Sequence, residues 1–212
     1  MKSGLSLIAM IIDASGSMIG RQSEVIISVN EALKKQREAE GEALVSIYQF
    51  AYETTKVVDF KNVKDVSDFS YVCDGGTALH DAIGFAIDDI GAKLALMLEE
   101  DRPEKVQIMI ITDGGENSSR KFNSSEVSEL VKHLTTKYSW IFTYLGSNQD
   151  AILTGSTIGI AATFCANYTD NNLAKTVNLV NNKMYMARSA TNAAEAMSLM
   201  SYSSLEREEL VN

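Results

Sequence analysis

The chain has 212 residues, of which 45% are hydrophobic and 22% are charged, and its formal net charge at pH 7 is −9. A chain of this size can bury a full core as one globular domain, which excludes disorder over most of its length. The excess of acidic residues disfavours nucleic acid as a partner, because a phosphate backbone would be repelled. No apolar run approaches the roughly 20 residues that span a bilayer, so the sequence predicts no membrane-spanning segment.

The first apolar stretch, residues 5–12, is too short for a cleavable leader and runs directly into Asp13. Cys73 and Cys165 are the only cysteines, too few for a disulfide framework and without the close spacing of a metal knuckle. We therefore expect a soluble cytoplasmic protein in which both thiols are reduced and pack in the core.

Three short apolar runs, each followed by a turn signal, predict strands that are buried on both faces of a sheet. These runs are residues 5–12, 106–111 and 140–145. Residues 43–60 predict two further strands that form a tight pair, antiparallel and at an edge of the sheet. Residues 161–165 predict a sixth strand.

Helical spacing of apolar residues fills the intervals between these strands. The first helix presents an apolar face between Val25 and Gln36, and the second extends from about residue 79 to residue 98. A third begins near Ser124, where Ser124, Ser125 and Glu126 resemble an N-cap region. A fourth has Thr169 as its cap and carries an apolar stripe of Leu173, Val177, Val180 and Met184.

Strands that alternate with helices predict an α/β fold, because parallel strands need crossovers and the crossovers supply covering helices. We expect a doubly wound, mostly parallel central sheet of about six strands with helices on both faces, Rossmann-like in architecture. The chain contains no linker or internal repeat that would separate two domains. Residues 1–190 are therefore predicted to form one domain, and residues 191–212 a C-terminal tail with no indicated structure.

Oxygen-bearing side chains follow two of the predicted buried strands. Asp13, Ser15 and Ser17 alternate in the loop after the first strand, and Asp113 follows the strand 106–111. Loops at the carboxyl ends of parallel strands form the ligand crevice of such sheets, so both carboxylates face one crevice if these two strands are neighbours. Thr77 adds a hydroxyl just before a helix, after two glycines that permit a close approach.

This set of side chains suits a hard divalent cation. Mg²⁺ prefers oxygen ligands in near-octahedral geometry and keeps several waters, which two aspartates, two serines and one threonine can accommodate. Neutral hydroxyls would leave the charge of the cation poorly neutralised, so that it would attract an anionic oxygen from another molecule. We expect Mg²⁺, with Mn²⁺ or Ca²⁺ as alternatives.

Asp13-x-Ser15-x-Ser17 with the distant Thr77 and Asp113 resembles the metal-ion-dependent adhesion site of von Willebrand factor type A domains, and all five motif positions are matched. The resemblance covers roughly residues 5–165, and residues 143–150 are also similar to stand-alone bacterial or phage members. It implies that the serines and the threonine contact the metal and that the aspartates act directly or through water. It also implies a protein partner that contributes a Glu or Asp carboxylate to the metal.

Several polar residues adjoin these loops, and for each of them a solvated loop position is favoured over a supporting role at the site. They are Asp74, Asp81, Glu116 and Asn117. His80 is interpreted in the same way, as a residue on the helix surface. Gly75 and Gly76 are interpreted as serving backbone geometry only.

Two other functions remain open beside a non-enzymatic, cation-dependent binding module. The first is a metal-dependent phosphohydrolase with Asp13 as its nucleophile, similar to haloacid dehalogenase-like phosphatases. Those enzymes carry a second aspartate two positions later, where this chain has Ser15. The second is a structural interaction module with an unoccupied site. A nucleotide-binding P-loop is excluded, because no Gly-x-x-x-x-Gly-Lys-Ser/Thr sequence occurs.

Overall fold

The computed structural model describes residues 1–147, 150–169 and 171–211. Asn148 and Gln149, which belong to the segment 143–150, therefore lie outside the described residues, as does Asn212 at the end of the predicted tail. Among the described residues, no helix is both long and apolar enough to cross a membrane. Cys73 and Cys165 are buried free thiols, as the sequence predicts.

Six strands form one sheet in the order β3-β2-β1-β4-β5-β6. The strands are β1 (Lys2–Asp13), β2 (Glu42–Phe50), β3 (Thr54–Asn62), β4 (Pro103–Thr112), β5 (Ile141–Ser147) and β6 (Cys165–Tyr168). All neighbouring strands are parallel except β2 and β3, which pair antiparallel at the edge. The predicted fold class is confirmed.

Helices cover both faces of the sheet, and each face has its own apolar core. The helices are α1 (Gln22–Glu38), α2 (Leu79–Leu96), α3 (Ser124–Tyr138), α4 (Ala151–Thr157), α5 (Leu173–Arg188), α6 (Ala193–Met200) and α7 (Ser204–Val211). Residues of α1, α5, α6 and α7 contribute to the core on one face. Residues of α2, α3 and α4 contribute to the core on the other face. This two-sided burial explains the continuous apolar character of β1 and β4.

The sixth strand lies later in the chain than the sequence predicts. Residues 162–164 form a 3₁₀ turn, and pairing with β5 begins only where Cys165 lies opposite Tyr144. The predicted strand over residues 161–165 is therefore wrong in its bounds. Small alanines match an apolar strand pattern, but Ala161 and Ala162 are exposed here and the chain turns before it enters the sheet.

Two helix starts also differ from the predicted ones. Asn123, not Ser124 or Ser125, caps α3, and its side chain and that of Glu126 form a reciprocal capping box. The fourth predicted helix begins at Leu173 with Asn172 as its N-cap, while the backbone N–H of Thr169 donates to Asn172 Oδ1 at 2.7 Å. The cap in each case is an asparagine, which the sequence pattern does not single out.

Two segments form helices that the sequence does not indicate. Helix α4 begins after Asp150, whose side chain accepts hydrogen bonds from the next turn. Residues 191–211 contain α6 and α7, and Met200, Tyr202 and Leu210 are buried against the core that α1 and α5 form.

The strands β1 and β4 are direct parallel neighbours, and Ile12 lies opposite Ile111. Both strands therefore end at the same edge of the sheet, with Asp13 at the end of one and Asp113 directly after the other. This register is the condition on which the sequence argument for a shared crevice depends.

Candidate metal site

The five residues of the predicted site lie on three neighbouring loops at the carboxyl edge of the sheet. Asp13 ends β1, Ser15 and Ser17 lie in the 3₁₀ turn and its cap that lead to α1, and Asp113 follows β4. Thr77 lies just before α2. All but Ser17 are buried, with Asp13 fully inaccessible.

Four of these side chains converge. The hydroxyl oxygens of Ser15 and Ser17 are 3.0 Å apart, and the Ser17 hydroxyl donates to Asp113 Oδ1 at 2.6 Å. A Cβ placed on Gly114 would lie 3.4 Å from Thr77 Oγ1 and 3.7 Å from Ser17 Oγ. The glycine thus lies beside both hydroxyls, and a side chain at this position would project toward them.

Asp13 lies behind this group and is held from two sides. Its Oδ1 accepts the backbone N–H of Ser15 at 2.8 Å, and its Oδ2 accepts the hydroxyl of Thr112 at 2.5 Å. Burial raises the pKa of Asp13 above its ordinary value, although the hydrogen bonds from Thr112 and Ser15 oppose this shift. The bond to Ser15 fixes the start of the Ser15–Ser17 loop, so Asp13 is placed to orient the two serine hydroxyls.

Backbone hydrogen bonds join the three loops. The N–H of Gly16 donates to the carbonyl of Gly75 at 2.9 Å, and the N–H of Asp74 donates to the carbonyl of Ala14 at 2.8 Å. The N–H of Thr77 donates to Asn117 Oδ1 at 2.9 Å. These bonds hold the hydroxyls of two loops and the carboxylate of the third close together.

Two structural features favour glycine at the two positions before Thr77. Gly75 has φ +81°, which favours glycine, and a Cβ there would lie 2.7 Å from Cδ2 of Tyr52. A Cβ on Gly76 would lie 2.6 Å from Cε1 of the same ring. The ring of Tyr52 therefore packs directly on the backbone that leads to Thr77.

The site contains a positively charged side chain, Arg21, that the sequence analysis did not identify. Arg21 Nη1 donates to Asp113 Oδ2 at 2.6 Å, and the two side chains are only 12% and 3% exposed. The guanidinium also lies 5.9 Å from the ring centroid of Tyr168. The one sequence signal was a basic residue four positions after Ser17, at the start of a helix.

Two residues that were interpreted as solvated loop positions instead organise the loop between β4 and α3. Asp81 accepts the backbone N–H groups of residues 120–122, and Glu116 accepts those of His80, Ser118 and Ser119. Burial alone would raise the pKa of Glu116, but these hydrogen bonds hold it below its ordinary value. A loop without regular structure leaves backbone N–H groups to be satisfied, which explains the need for such acceptors.

The donor set consists of oxygen atoms only, and most of its members are hydroxyls. Among the described residues, no group of three or more His, Cys, Asp or Glu side chains is placed to hold a metal ion. A cation between Ser15, Ser17, Thr77 and Asp113 would thus have hydroxyl ligands, which fits a hard divalent ion and does not fit a thiolate-seeking or imidazole-seeking one.

No protein-family model matches the sequence, and a search of curated proteins finds no significantly similar sequence. Solved structures do match. The vWF domain of the type V pili tip protein Mfa5 from Porphyromonas gingivalis has a TM-score of 0.63 at 11% identity, covering 88% of this chain and 97% of that chain. Proximal thread matrix protein 1 (PTMP1) from the mussel byssus has a TM-score of 0.58 at 18% identity, with 88% and 46% covered.

The ArnB paralog VWA2 from Sulfolobus acidocaldarius has a TM-score of 0.55 at 17% identity, with 85% of this chain and 45% of that chain covered. The chain thus spans about half the length of PTMP1 and of VWA2. These similarities show that the chain has the von Willebrand factor A fold. A second PTMP1 structure, similar at a TM-score of 0.57, is described as having a zinc-occupied MIDAS motif.

Proposed function

We propose that this chain is a non-enzymatic protein-binding module that holds one divalent cation and uses it to bind an acidic side chain of a partner protein. The observation that carries the proposal is the convergence of Ser15, Ser17, Thr77 and Asp113 at the carboxyl ends of β1 and β4. Asp13 orients this group from behind. Mg²⁺ is the cation that we expect, with Mn²⁺ or Ca²⁺ as alternatives.

The chain's own residues would bind and orient. The three hydroxyls and Asp113 Oδ1 would contact the cation, and Asp13 would hold the Ser15 backbone in place. A bound divalent cation would supply positive charge and an exchangeable coordination position for an anionic oxygen. The Arg21 guanidinium already offsets part of the negative charge of Asp113, so the ligand set is poor in negative charge.

An acidic group on the partner fits this charge balance. The chain carries a formal net charge of −9, so an acidic surface without access to a cation would be repelled. A local positive charge at the crevice reverses that repulsion at one point only. Binding would then select partners that present a carboxylate where the crevice opens, because a partner without it meets an unfavourable negative surface.

Asp13 is poorly placed for the alternative of a phosphohydrolase. Its side chain is 0% exposed, and both of its oxygens accept hydrogen bonds, from the Ser15 backbone and the Thr112 hydroxyl. A nucleophilic carboxylate needs an open path to the phosphorus atom. The burial of Asp13 therefore favours a binding module over an enzyme.

Two of the similar structures support the same choice. PTMP1 is described with a zinc-occupied MIDAS motif, and Mfa5 as a pili tip protein with a vWF domain. The stand-alone character of the chain and its cytoplasmic location stay predictions. The module with an unoccupied site remains the competing interpretation, and metal binding is the property that separates the two.

Titration with Mn²⁺ tests the proposal directly. The unsubstituted chain should bind one Mn²⁺ by isothermal titration calorimetry, and Thr77→Ala should weaken that binding at least tenfold, about 1.4 kcal/mol, because one ligand is lost. Thr136→Ala is the matched control, since Thr136 is exposed near the end of α3, which leads into the start of β5 at the opposite edge of the sheet. Its affinity should equal that of the unsubstituted chain.

Two outcomes would contradict the proposal. Absence of Mn²⁺ and Mg²⁺ binding would favour the structural module with an unoccupied site. Turnover of p-nitrophenyl phosphate in Mg²⁺ that is lost in Asp13→Asn would favour the phosphohydrolase.

A further inference from the structure

A groove opens beside the candidate metal site and continues along helix α2. It consists of two hollows of about 550 and 630 Å³, and both are lined by Tyr52, Ser118 and Arg120. The smaller hollow also reaches Gly76 and Asn117, the latter of which accepts the Thr77 N–H. The groove therefore begins at the rim of the candidate site.

Aromatic side chains form the apolar part of this groove. Tyr52 is 65% exposed and Phe85 is 40% exposed, and both line the larger hollow. The Tyr52 ring lies directly on Gly75, which keeps it in place beside the metal loop. Rigid aromatic rings that stay exposed next to a binding site are typical anchors for a partner chain.

Charge is distributed unevenly along the groove. Arg120, which is exposed, belongs to the hollow at the metal-site end and to the larger one. Lys121, Glu53 and Asp88 line only the larger hollow and are exposed. The backbone N–H groups of Arg120 and Lys121 both donate to Asp81 in the first turn of α2. Two positive side chains thus lie beside the first turn of α2, near the metal site. Asp88 lies about two turns further along the helix, and Glu53 lies in the turn between β2 and β3.

The acids that line the larger hollow differ in how far they are already engaged. Asp89 receives Nζ of Lys56 and of Lys93, each at 2.8 Å, and the Tyr48 hydroxyl at 2.8 Å. Within the part of the chain that the structure describes, the side chains of Glu53 and Asp88 have no hydrogen bond or ion pair. These two carboxylates are therefore available to a positive group that enters the groove.

The length of α2 sets the spacing between the two ends. Asp88 lies nine residues after Leu79, the first residue of the helix, which corresponds to about 13 Å along the helix axis. An extended peptide advances about 3.3 Å per residue, so roughly four residues cover this distance.

We propose that the groove receives an extended segment of the protein partner, in which a basic residue lies about four positions from the acid that reaches the metal site. The basic side chain pairs with Glu53 and Asp88, and an apolar residue between the two charges packs on Tyr52 and Phe85. Arg120 disfavours the reversed orientation, because it would place the base beside a like charge. This inference rests on the proposed function, since the acid is anchored by the metal site.

Selection from a display library of random peptides of about twelve residues, carried out on the full chain in Mg²⁺, tests the inference. The enriched peptides should share an acid and a base about four positions apart, with an apolar residue between them. Their affinity, measured by fluorescence anisotropy, should fall at least tenfold in the Glu53→Lys/Asp88→Lys double variant. Replacement of the peptide's base by an acid should restore much of the binding to that variant.

A matched double variant controls for net charge. Glu99→Lys/Glu100→Lys changes the charge by the same amount in an exposed 3₁₀ turn at the other end of α2, and it should leave the affinity unchanged. Circular dichroism should show both variants folded.

The possible results separate the two proposals. Enriched peptides that need Mg²⁺ but lack the base, or that bind the Glu53→Lys/Asp88→Lys variant equally well, overturn the groove and leave the metal-dependent function standing. Peptides that bind equally in chelator and to Thr77→Ala overturn the proposed function. A library that yields no binder overturns the groove as a peptide site.

Discussion

Residues of the candidate site fall into those that face the crevice and those that orient them. The hydroxyls of Ser15 and Ser17 are 3.0 Å apart and face the crevice, whereas Asp13 is turned toward the Ser15 backbone and Thr112. An orienting carboxylate that is fully buried shapes the loop whether or not an ion is present. Supporting residues of this kind commonly decide how well ligands are preorganised.

The positive charge of Arg21 disfavours a cation at the site. Its guanidinium contacts Asp113 at 2.6 Å in a nearly buried position, where charges interact more strongly than in water. Removal of this positive charge should make the site more attractive to a divalent ion. We expect Arg21→Ala to bind Mn²⁺ roughly tenfold more tightly, about 1.4 kcal/mol, in a calorimetric titration.

Lys132→Ala is the control for this experiment, because it removes one positive charge from an exposed position on α3 that lines neither hollow of the groove. Its Mn²⁺ affinity should change little, since exposed charges are screened. Weaker Mn²⁺ binding by Arg21→Ala would instead show that Arg21 acts mainly by orienting Asp113.

Single residues also show what sequence reasoning could and could not provide. Asp13, Ser15, Ser17, Thr77 and Asp113 were found because each follows a recognisable strand or precedes a helix, and the structure brings them together. The roles of Arg21, Thr112 and Asn117 were missed. Each depends on a contact with a residue that is distant in sequence, and no local pattern reports such a contact.

At the scale of elements, the strength of the local pattern decided which predictions were correct. Strands β1, β4 and β5 were predicted because continuous apolar runs are rare outside a sheet that is buried on both faces. Helix α4 has only seven residues and depends on tertiary contacts, so its local signal is weak. The bounds of β6 were displaced for the same reason, since four residues carry little periodicity.

One arginine at the end of α5 adds several hydrogen bonds to the apolar contact between α5 and α1. Arg188 is 4% exposed and donates to the carbonyl oxygens of Gln36, Glu40 and Gly41 at 2.6, 3.2 and 3.0 Å. These carbonyls lie at the end of α1 and just beyond it, where no further helical turn can satisfy them. Burial lowers the pKa of Arg188 below its ordinary value.

Arg188→Met should therefore destabilise the protein through the loss of several hydrogen bonds at once. We expect the free energy of unfolding in urea to fall by about 2–4 kcal/mol, because one buried carbonyl and two partly buried ones lose a charged donor. Arg120→Met, at an exposed position, should change it by less than about 0.5 kcal/mol. A similarly small change in Arg188→Met would mean that water replaces the guanidinium at no net loss.

At the scale of the whole molecule, the sheet carries an independent core on each face and the candidate site lies at its edge. Fold class followed from the sequence because the alternation of strands and helices leaves few topologies. The contribution of residues 191–211 did not follow, because small and polar residues dominate there. Their buried members, Met200, Tyr202 and Leu210, pack on the same face as α1 and α5. The domain boundary at residue 190 stays a prediction.

This arrangement predicts that the fold does not depend on the cation. Backbone bonds from Gly16 to Gly75 and from Asp74 to Ala14 hold the metal loops together without an ion. The far-UV circular dichroism spectrum should therefore be the same in Mg²⁺ and in excess chelator.

A cation present at a hundred times its dissociation constant should still add about 2.7 kcal/mol to the free energy of unfolding. Because each kcal/mol raises Tm by about 2–4 °C in a domain of this size, the rise should be measurable in the unsubstituted chain and nearly absent in Thr77→Ala. Global unfolding in chelator would instead show that the cation is a structural part of the fold.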